Sequence, residues 1–452
     1  MVAEGSTAAA APESTSSEDS PLLSALPWWA LPFRALRHRN YRLYFFGQLV
    51  SVIGSWVQTT ALMWLAYRLT GQSQWPALIA TAQILPTFFL GAWGGALADR
   101  VSKRALIFTT QAALLLLAVL LGGLVLSGHV TTWQLLAISL AVGVVNAIDL
   151  PARLSFVMDM VGREDLVNAV ALNSLLFNAA RVMGPAIGGL MLTRLGPGHC
   201  FLINGLSFVA VLAALALMDV SGTSRSPPRP GLRALLDGWG HVARRPALAC
   251  LMAMTGLISL FGWPFLTLLP ALADSTLAGQ GTALTEAPGA DALEHGAGYS
   301  QLLVGTGCGA LLAAFTLAAF SGPRWRRPFL IAAVAAAAAG LCGLALVREM
   351  VAAVAGCAVV GFGLVLFNAT SQSMVQLSTN DDNRGRVMGI WSIIICGAMP
   401  PGNLCVGWGA DTWGVSPVLA GEGLACLASA VAVLALLVVW DRVRVLGGTR
   451  ES

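Results

Sequence analysis

The sequence predicts an all-α integral membrane protein with twelve transmembrane helices arranged as two six-helix bundles. Its composition, its long apolar segments and the distribution of its arginines support this fold class. Of the 452 residues, 56% are hydrophobic and only 11% are charged, whereas soluble domains carry about 25% charged residues. The mean hydropathy is +0.74. So little charge cannot cover a water-exposed surface, and we expect lipid to be the solvent of these side chains.

Twelve apolar segments are long enough to cross a bilayer, which takes roughly 20 mostly apolar residues. They are residues 42–67, 75–98, 105–126, 131–151, 167–193, 200–218, 247–272, 298–320, 328–347, 351–375, 386–410 and 416–440. Basic residues test this count, because cytoplasmic loops are richer in Lys and Arg than external loops. With both termini cytoplasmic, 22 basic residues fall inside and three, Arg68, Arg194 and Arg348, fall outside. Adding or removing one helix would scramble every later loop, which favours twelve.

Changes in composition along the chain divide it into two bundles, two tails and two long loops. The predicted parts are a disordered cytoplasmic tail (1–34), the first six-helix bundle (35–218), a cytoplasmic central loop (219–246), the second six-helix bundle (247–440) with an external loop (274–297), and a cytoplasmic C-terminal tail (441–452). The first tail lacks the basic start of a secretory signal peptide. Duplication of a six-helix unit is typical of secondary transporters.

The loop between the second and third predicted helices combines a glycine, an acid and basic residues, namely Gly95, Asp99, Arg100, Lys103 and Arg104. Gly95 allows close helix approach, and Asp99 can accept hydrogen bonds from the N-terminus of a neighbouring helix. This loop resembles the signature loop of the major facilitator superfamily, although Ser102 stands where the family usually has a second glycine. The resemblance implies that the loop contacts helix 11 near Arg386 and closes the cytoplasmic side. The alternative is that the basic residues only set the topology.

Helix 5 contains a Gly-Pro-x-x-Gly-Gly segment formed by Gly184, Pro185, Gly188 and Gly189. Proline and glycine in a spanning helix produce a kink and a close-packing face. The segment resembles the antiporter motif of drug exporters in the same superfamily, which implies export; ordinary helix packing is the alternative. The longer stretch from Asp149 to Gly189 resembles the exporter subfamily that includes the enterobactin exporter and macrolide efflux proteins.

Arg181 lies near the middle of predicted helix 5, where an arginine costs about 2.5–3.5 kcal/mol by insertion scales. It must therefore face a cavity or a partner. We hypothesise that it lines a central cavity and attracts an anionic or carbonyl-rich substrate, or an embedded acid; a purely structural buried pair is the alternative. The neutral polar candidates for the same cavity are Gln58, Asn173, Asn178, Asn204, Asn368 and Gln372.

Two carboxylates inside predicted spans, Glu422 in helix 12 and Asp149 in helix 4, are candidates for proton coupling. A carboxyl group in a low-dielectric site takes up a proton more readily than one in water, which suits proton-driven antiport. The alternatives are that Glu422 is interfacial, near the external face, and that Asp149 pairs with Arg153, closes a gate or caps a helix.

The sequence contains no HExxH, GxSxG or P-loop motif and no pattern of metal ligands, so we expect neither an enzyme nor direct ATP drive. We expect no cofactor, with the proton gradient as energy source. Nucleic acid is not an expected partner, because no soluble domain carries a basic stripe.

The resemblance implies a transporter that works by rocking of its two bundles about a midplane site. It implies export of a siderophore, antibiotic or similar amphipathic small molecule across the bacterial inner membrane. Uptake of a siderophore or similar solute, and a membrane protein that transports nothing, are the alternatives. We expect a monomer embedded in the lipid bilayer.

Overall fold

The computed structural model describes residues 28–162, 164–219, 239–240, 242–278, 290–320, 322–379 and 381–448. Within these ranges the chain is helical and contains no β-strand. A 3-10 helix (Trp28–Arg37) is followed by α1 (Arg39–Thr70), α2 (Gln74–Arg100), α3 (Lys103–Leu126), α4 (Thr132–Val161), α5 (Leu166–Leu195), α6 (Pro197–Leu217), α7 (Pro246–Phe261), α8 (Phe265–Ala278), α9 (Ala290–Ala319), α10 (Arg326–Leu344), α11 (Met350–Leu377), α12 (Asp381–Trp413) and α13 (Val415–Gly448).

Eleven segments of the described chain are long and apolar enough to cross a membrane, and α7 and α8 together form one of them. The twelfth long helix is α2, whose 27 residues span about 40 Å at 1.5 Å per residue. It packs against α4 and α12. The predicted all-α membrane fold is confirmed, and α2 would bring the eleven spans of the described chain to the predicted twelve.

The two halves repeat the same packing. In the first half, α1 and α3 both pack on α6, and α2 packs on α4. In the second half, α7 and α10 pack on α13, and α9 packs on α11. The halves meet through α2 against α12 and through α5 against α9, which is the contact that an internal two-fold repeat requires.

A single glycine joins the last two helices of each half. Gly196 connects α5 to α6 with φ 81°, and Gly414 connects α12 to α13 with φ 89°. Only glycine adopts such positive φ values without strain. The same one-residue reversal at equivalent places supports the internal duplication.

Several helices extend beyond the predicted boundaries, because helical hydrogen bonding continues past the apolar stretch. The 3-10 helix begins at Trp28, inside the range predicted as a disordered tail, and residues 1–27 lie outside the described part. Within the predicted external loop 274–297, α8 continues to Ala278 and α9 starts at Ala290, and residues 279–289 lie outside the described part. The helix α13 runs to Gly448, into the predicted C-terminal tail. Most of the central loop lies outside the described residues.

Candidate functional site

Arg181 lies where the two halves of the molecule meet, near the middle of α5. Its guanidinium carbon is 5.9 Å from the centre of the Trp56 ring in α1 and 5.6 Å from that of Trp263. Both distances are in the range of cation–π contacts. Because Trp263 belongs to the second half, Arg181 faces the interface between the halves.

The charge of Arg181 has no acidic partner among the described residues. Its Nε is buried and donates no hydrogen bond within that part of the structure, and no described carboxylate lies within ion-pair distance. The described residues thus give no support to the structural ion pair considered from the sequence. An N–H group left without an acceptor inside a membrane protein is costly.

Trp263 occupies a break in a spanning helix that sequence reasoning missed. Gly262, Trp263 and Pro264 form a turn between α7 and α8, near the middle of the predicted span 247–272. Discontinuous helices at the midplane form the binding sites of many transporters. The signal was present, because glycine and proline separated by one residue interrupt a helix.

The Gly-Pro-x-x-Gly-Gly segment brings α5 close to helices of both halves. A Cβ added at Gly184 would overlap Trp56, and one at Gly188 would lie 3.1 Å from Val57 Cα, so both face α1. A Cβ at Gly189 would overlap Ser300 of α9, across the interface. Pro185 is buried in the same helix. The segment therefore allows α5 to pack closely against α1 and against α9 of the other half, beside Arg181.

Glu422 is buried near the start of α13 with a side chain that is 3% exposed. Neither carboxyl oxygen has a hydrogen-bond partner within the described chain. The adjacent Gly423 packs against Cys342 and Ala338 of α10. Glu422 is thus enclosed by protein, and its depth relative to the external face stays a prediction. An ionised carboxylate without a partner is strongly disfavoured in such a place, and this arrangement suits a group that binds and releases a proton.

Asp149, the other carboxylate candidate, is fully buried and well partnered. It accepts hydrogen bonds from Thr110 Oγ1 at 2.6 Å and Gln111 Nε2 at 3.1 Å, and Arg153 Nε lies 2.7 Å from Oδ2. Arg153 also donates to Gln48 Oε1 at 2.9 Å. The network joins α1, α3 and α4 of the first half, and it contains the Asp149–Arg153 pairing considered from the sequence.

Two predicted cavity residues, Gln58 and Asn204, instead bond to each other. Asn204 Nδ2 donates to Gln58 Oε1 at 2.7 Å, and Ser207 Oγ donates to Asn204 Oδ1 at 3.1 Å. Both amides are buried. The two amides thus form a polar link between α1 and α6, and their place in a cavity stays a prediction.

Other cavity candidates keep their status as predictions. The side chains of Asn173, Asn368 and Gln372 are half-buried. The side chain of Asn178 lies outside the described part of the structure.

The structure describes the side chains of most residues of the signature loop. Lys103 Nζ contacts Asp159 Oδ2 at 2.8 Å, Arg104 donates to the Ala216 carbonyl oxygen at 3.2 Å, and Ser102 caps α3 with φ −59°. At that φ a glycine is not needed, which explains why serine is tolerated. Gly95 is buried, Arg100 is exposed and Arg386 is half-buried. The predicted contact of Asp99 lies outside the described side chains.

A carboxylate contact at the predicted external end joins the halves. Asp411, at the end of α12, accepts hydrogen bonds from the backbone N–H groups of Ser73 at 2.6 Å and Gln74 at 3.0 Å. These groups start α2, where the helix dipole favours negative charge. Close by, Tyr67 of α1 donates to Asp274 of α8 at 3.3 Å. Sequence reasoning missed both contacts, because they join residues more than 200 positions apart.

At the predicted cytoplasmic end, Asp165 holds the 3-10 helix against α5. Its carboxylate pairs with Arg34, Arg37 and His38. Burial alone would raise the pKa of Asp165, but hydrogen bonds from His38 and Arg34 and the charges of both arginines outweigh it and lower the pKa. The ion cluster favours the ionised carboxylate.

Residues 30–443 match the family described as transmembrane secretion effector. The chain belongs to this family of the major facilitator superfamily. Its matched region covers both halves and every helix that forms the candidate site. The chain is therefore a multi-pass membrane protein of this superfamily.

Curated relatives of this superfamily member match over about half of it. The Staphyloferrin A transporter of Staphylococcus aureus is 25% identical over 255 residues, covering 53% of this chain and 60% of the relative. The enterobactin exporter EntS of Shigella flexneri is 27% identical over 256 residues, covering 55% and 59%. The chain thus spans about 60% of the length of these relatives.

Solved structures show the same superfamily fold. The nucleoside transporter NupG superposes with a TM-score of 0.68 at 11% identity, covering 88% of this chain and 99% of NupG. A bacterial homologue of the iron transporter ferroportin gives 0.60 at 16% identity, covering 88% and 98%. At such identities the likeness concerns the fold alone.

Proposed function

We propose that the chain is a secondary active transporter that exports a small amphipathic molecule, such as a siderophore or antibiotic, in exchange for protons. The observation that carries this proposal is Glu422, a carboxylate buried in a spanning helix with no hydrogen-bond partner among the described residues. A static scaffold gains nothing from such a costly group. A transporter driven by the proton gradient needs one, and it needs no bound cofactor.

The two-fold arrangement supports alternating access. The halves meet through α2 against α12 and α5 against α9, and Arg181, near the middle of α5, lies between them. Rocking of the halves about such a site would expose it to each side of the membrane in turn. The Asp411 contact at the predicted external end would then hold that side closed.

The direction of export rests on similarity. The matched family is described as a secretion effector, and one relative is named an enterobactin exporter. We place the chain in a bacterial inner membrane as a monomer with both termini cytoplasmic, as the 22 to 3 distribution of basic residues predicts. Uptake is the competing direction.

Inverted membrane vesicles test direction and coupling together. Their cytoplasmic face is outward and respiration acidifies their lumen, so an exporter should accumulate iron-free enterobactin or staphyloferrin A inside while protons leave. We expect Glu422→Gln to reduce substrate-dependent proton release at least tenfold. The matched control is Glu349→Gln, because Glu349 is an exposed carboxylate outside the spans.

Each outcome has a distinct meaning. Loss of preloaded substrate from acidified vesicles would show uptake with protons. Accumulation without proton movement, or proton release unchanged in Glu422→Gln, would overturn proton coupling through Glu422. Vesicles that behave like those without the protein, for every probe, would contradict transport of these molecules.

A further inference from the structure

Arg181 and its two tryptophans form an arrangement more specific than a charged cavity wall. The guanidinium carbon lies within 6 Å of two indole ring centres, one from each half. Trp56, Arg181 and Trp263 are all half-buried, whereas the adjoining Gly184 and Val57 are buried. The three side chains are therefore partly accessible at a point where the two halves meet.

The polar edge of this group lacks an acceptor. Arg181 Nε is buried and donates no hydrogen bond to any described residue. A guanidinium presents its N–H groups as a planar fork that matches a carboxylate with two parallel hydrogen bonds. The missing acceptor is thus best supplied by a planar anionic group.

The indole rings determine what else the ligand carries. Trp56 and Trp263 offer aromatic surface beside the guanidinium, and aromatic groups that stack on each other gain free energy beyond area burial. A ligand that joins an anionic group to an aromatic ring would contact all three side chains at once. A cationic ligand would be repelled by Arg181 inside a medium of low dielectric constant.

We infer that the Arg181–Trp56–Trp263 site binds small aromatic organic anions, with the carboxylate on Arg181 and the ring against the indoles. This inference rests on the proposed function and names its substrate class. The bound anion neutralises the charge of Arg181. Because Trp263 belongs to the second half, all three side chains contact the ligand only while the two halves lie close together at Arg181.

Binding in lipid nanodiscs, without any gradient, tests the inference separately from transport. The probes are 2-naphthoate, its neutral counterpart 2-naphthalenemethanol, its cationic counterpart 2-naphthylmethylamine and the saturated decahydro-2-naphthoate. Calorimetry with empty nanodiscs subtracted should show 2-naphthoate binding at least tenfold more tightly than the neutral and cationic probes. It should also bind several-fold more tightly than the saturated acid.

Variants assign these preferences to residues. Arg181→Gln should abolish the preference for the anion, whereas Arg194→Gln, at an exposed arginine of the same helix, should keep it. Trp263→Leu should abolish the preference for the aromatic over the saturated acid, whereas Trp133→Leu, at an exposed tryptophan, should not. Arg181→Lys should retain a reduced preference for the anion.

Two results would overturn the inference: equal or tighter binding of the cationic probe to the unaltered protein, or an anion preference that survives in Arg181→Gln. If Arg181→Gln does not fold, the inference is tested by the relative affinities of the four probes for the unaltered protein and for Trp263→Leu. The vesicle experiment can contradict proton coupling while the nanodisc probes still bind in the expected order. The nanodisc probes can also bind in another order while proton coupling holds, so the two experiments test the two proposals separately.

Discussion

Asp149 and Glu422 are both buried carboxylates in spanning helices, one in each half, and their surroundings are opposite. Asp149 is fully buried, accepts two hydrogen bonds and pairs with Arg153. Glu422 is 3% exposed and has no hydrogen-bond partner among the described residues. Burial alone does not distinguish a structural acid from a functional one. The difference lies in whether the surroundings compensate the charge, and uncompensated groups concentrate at functional sites.

The largest expected effect is on stability at Asp149. Asp149→Ala leaves Arg153 without its anion and Gln111 Nε2 without its acceptor, and breaking a buried pair costs about 3–5 kcal/mol. We expect the free energy of unfolding in detergent to fall by that amount, measured by denaturant titration.

The matched control for that measurement is Glu422→Leu. Removal of an unpartnered buried polar group lifts a penalty of about 1–3 kcal/mol, so this variant should be as stable as the unaltered protein or more stable. A similar loss of stability in both variants would show that both carboxylates stabilise the fold, and the contrast drawn between Asp149 and Glu422 would be wrong.

The sequence predicts those features of the fold that follow from the insolubility of polar and charged groups in lipid. The number of helices and the two halves follow from apolar length and arginine distribution, and Arg181 and Glu422 stand out because ions are costly in hydrocarbon. Their surroundings depend on packing. Asn204 meets Gln58 across 146 positions, and Trp263 looks like any apolar core residue until the helix break is known. Pairings of this kind need the three-dimensional arrangement.

Asp411 is a third kind of carboxylate, because its partners lie in the other half. Asp411→Asn weakens two hydrogen bonds across the interface. Because hydrogen bonds to charged groups contribute about 1.5–3 kcal/mol, the variant should destabilise the conformation with a closed external end by about 1–2 kcal/mol. The overall fold should persist, because each half keeps its own packing. The effect should therefore appear as a shift between conformations.

Thiol accessibility measures that shift. In a background with the eight native cysteines replaced, Thr81→Cys places a thiol between α2 and α12, where Thr81 donates to the Pro400 carbonyl oxygen. Its rate of modification by an impermeant external reagent should rise about tenfold with Asp411→Asn and stay unchanged with Glu349→Gln. An unchanged rate with Asp411→Asn would show that the contact does not close that end.

The smallest expected effect concerns Asp165, which is paired at the cytoplasmic end with Arg34, Arg37 and His38. Because the folded protein lowers the pKa of Asp165, its contribution is present above the pKa of the unfolded chain and is lost as the pH falls through the folded pKa. Partly exposed ion pairs contribute about 1 kcal/mol or less. Asp165→Asn should therefore lower the melting temperature at pH 7 by a few degrees.

The decisive readout is how that difference changes with pH. The gap between the unaltered protein and Asp165→Asn should hold above the pKa of the unfolded carboxyl group and shrink as the pH falls below it toward 3, because protonation removes the charge that the variant lacks at every pH. Glu164→Gln, at the exposed neighbouring acid, should leave the melting temperature unchanged throughout. A gap that stays constant between pH 7 and pH 3 would assign the contact to hydrogen-bond geometry, and Asp165 would then differ from Asp149 and Glu422 in not depending on its charge.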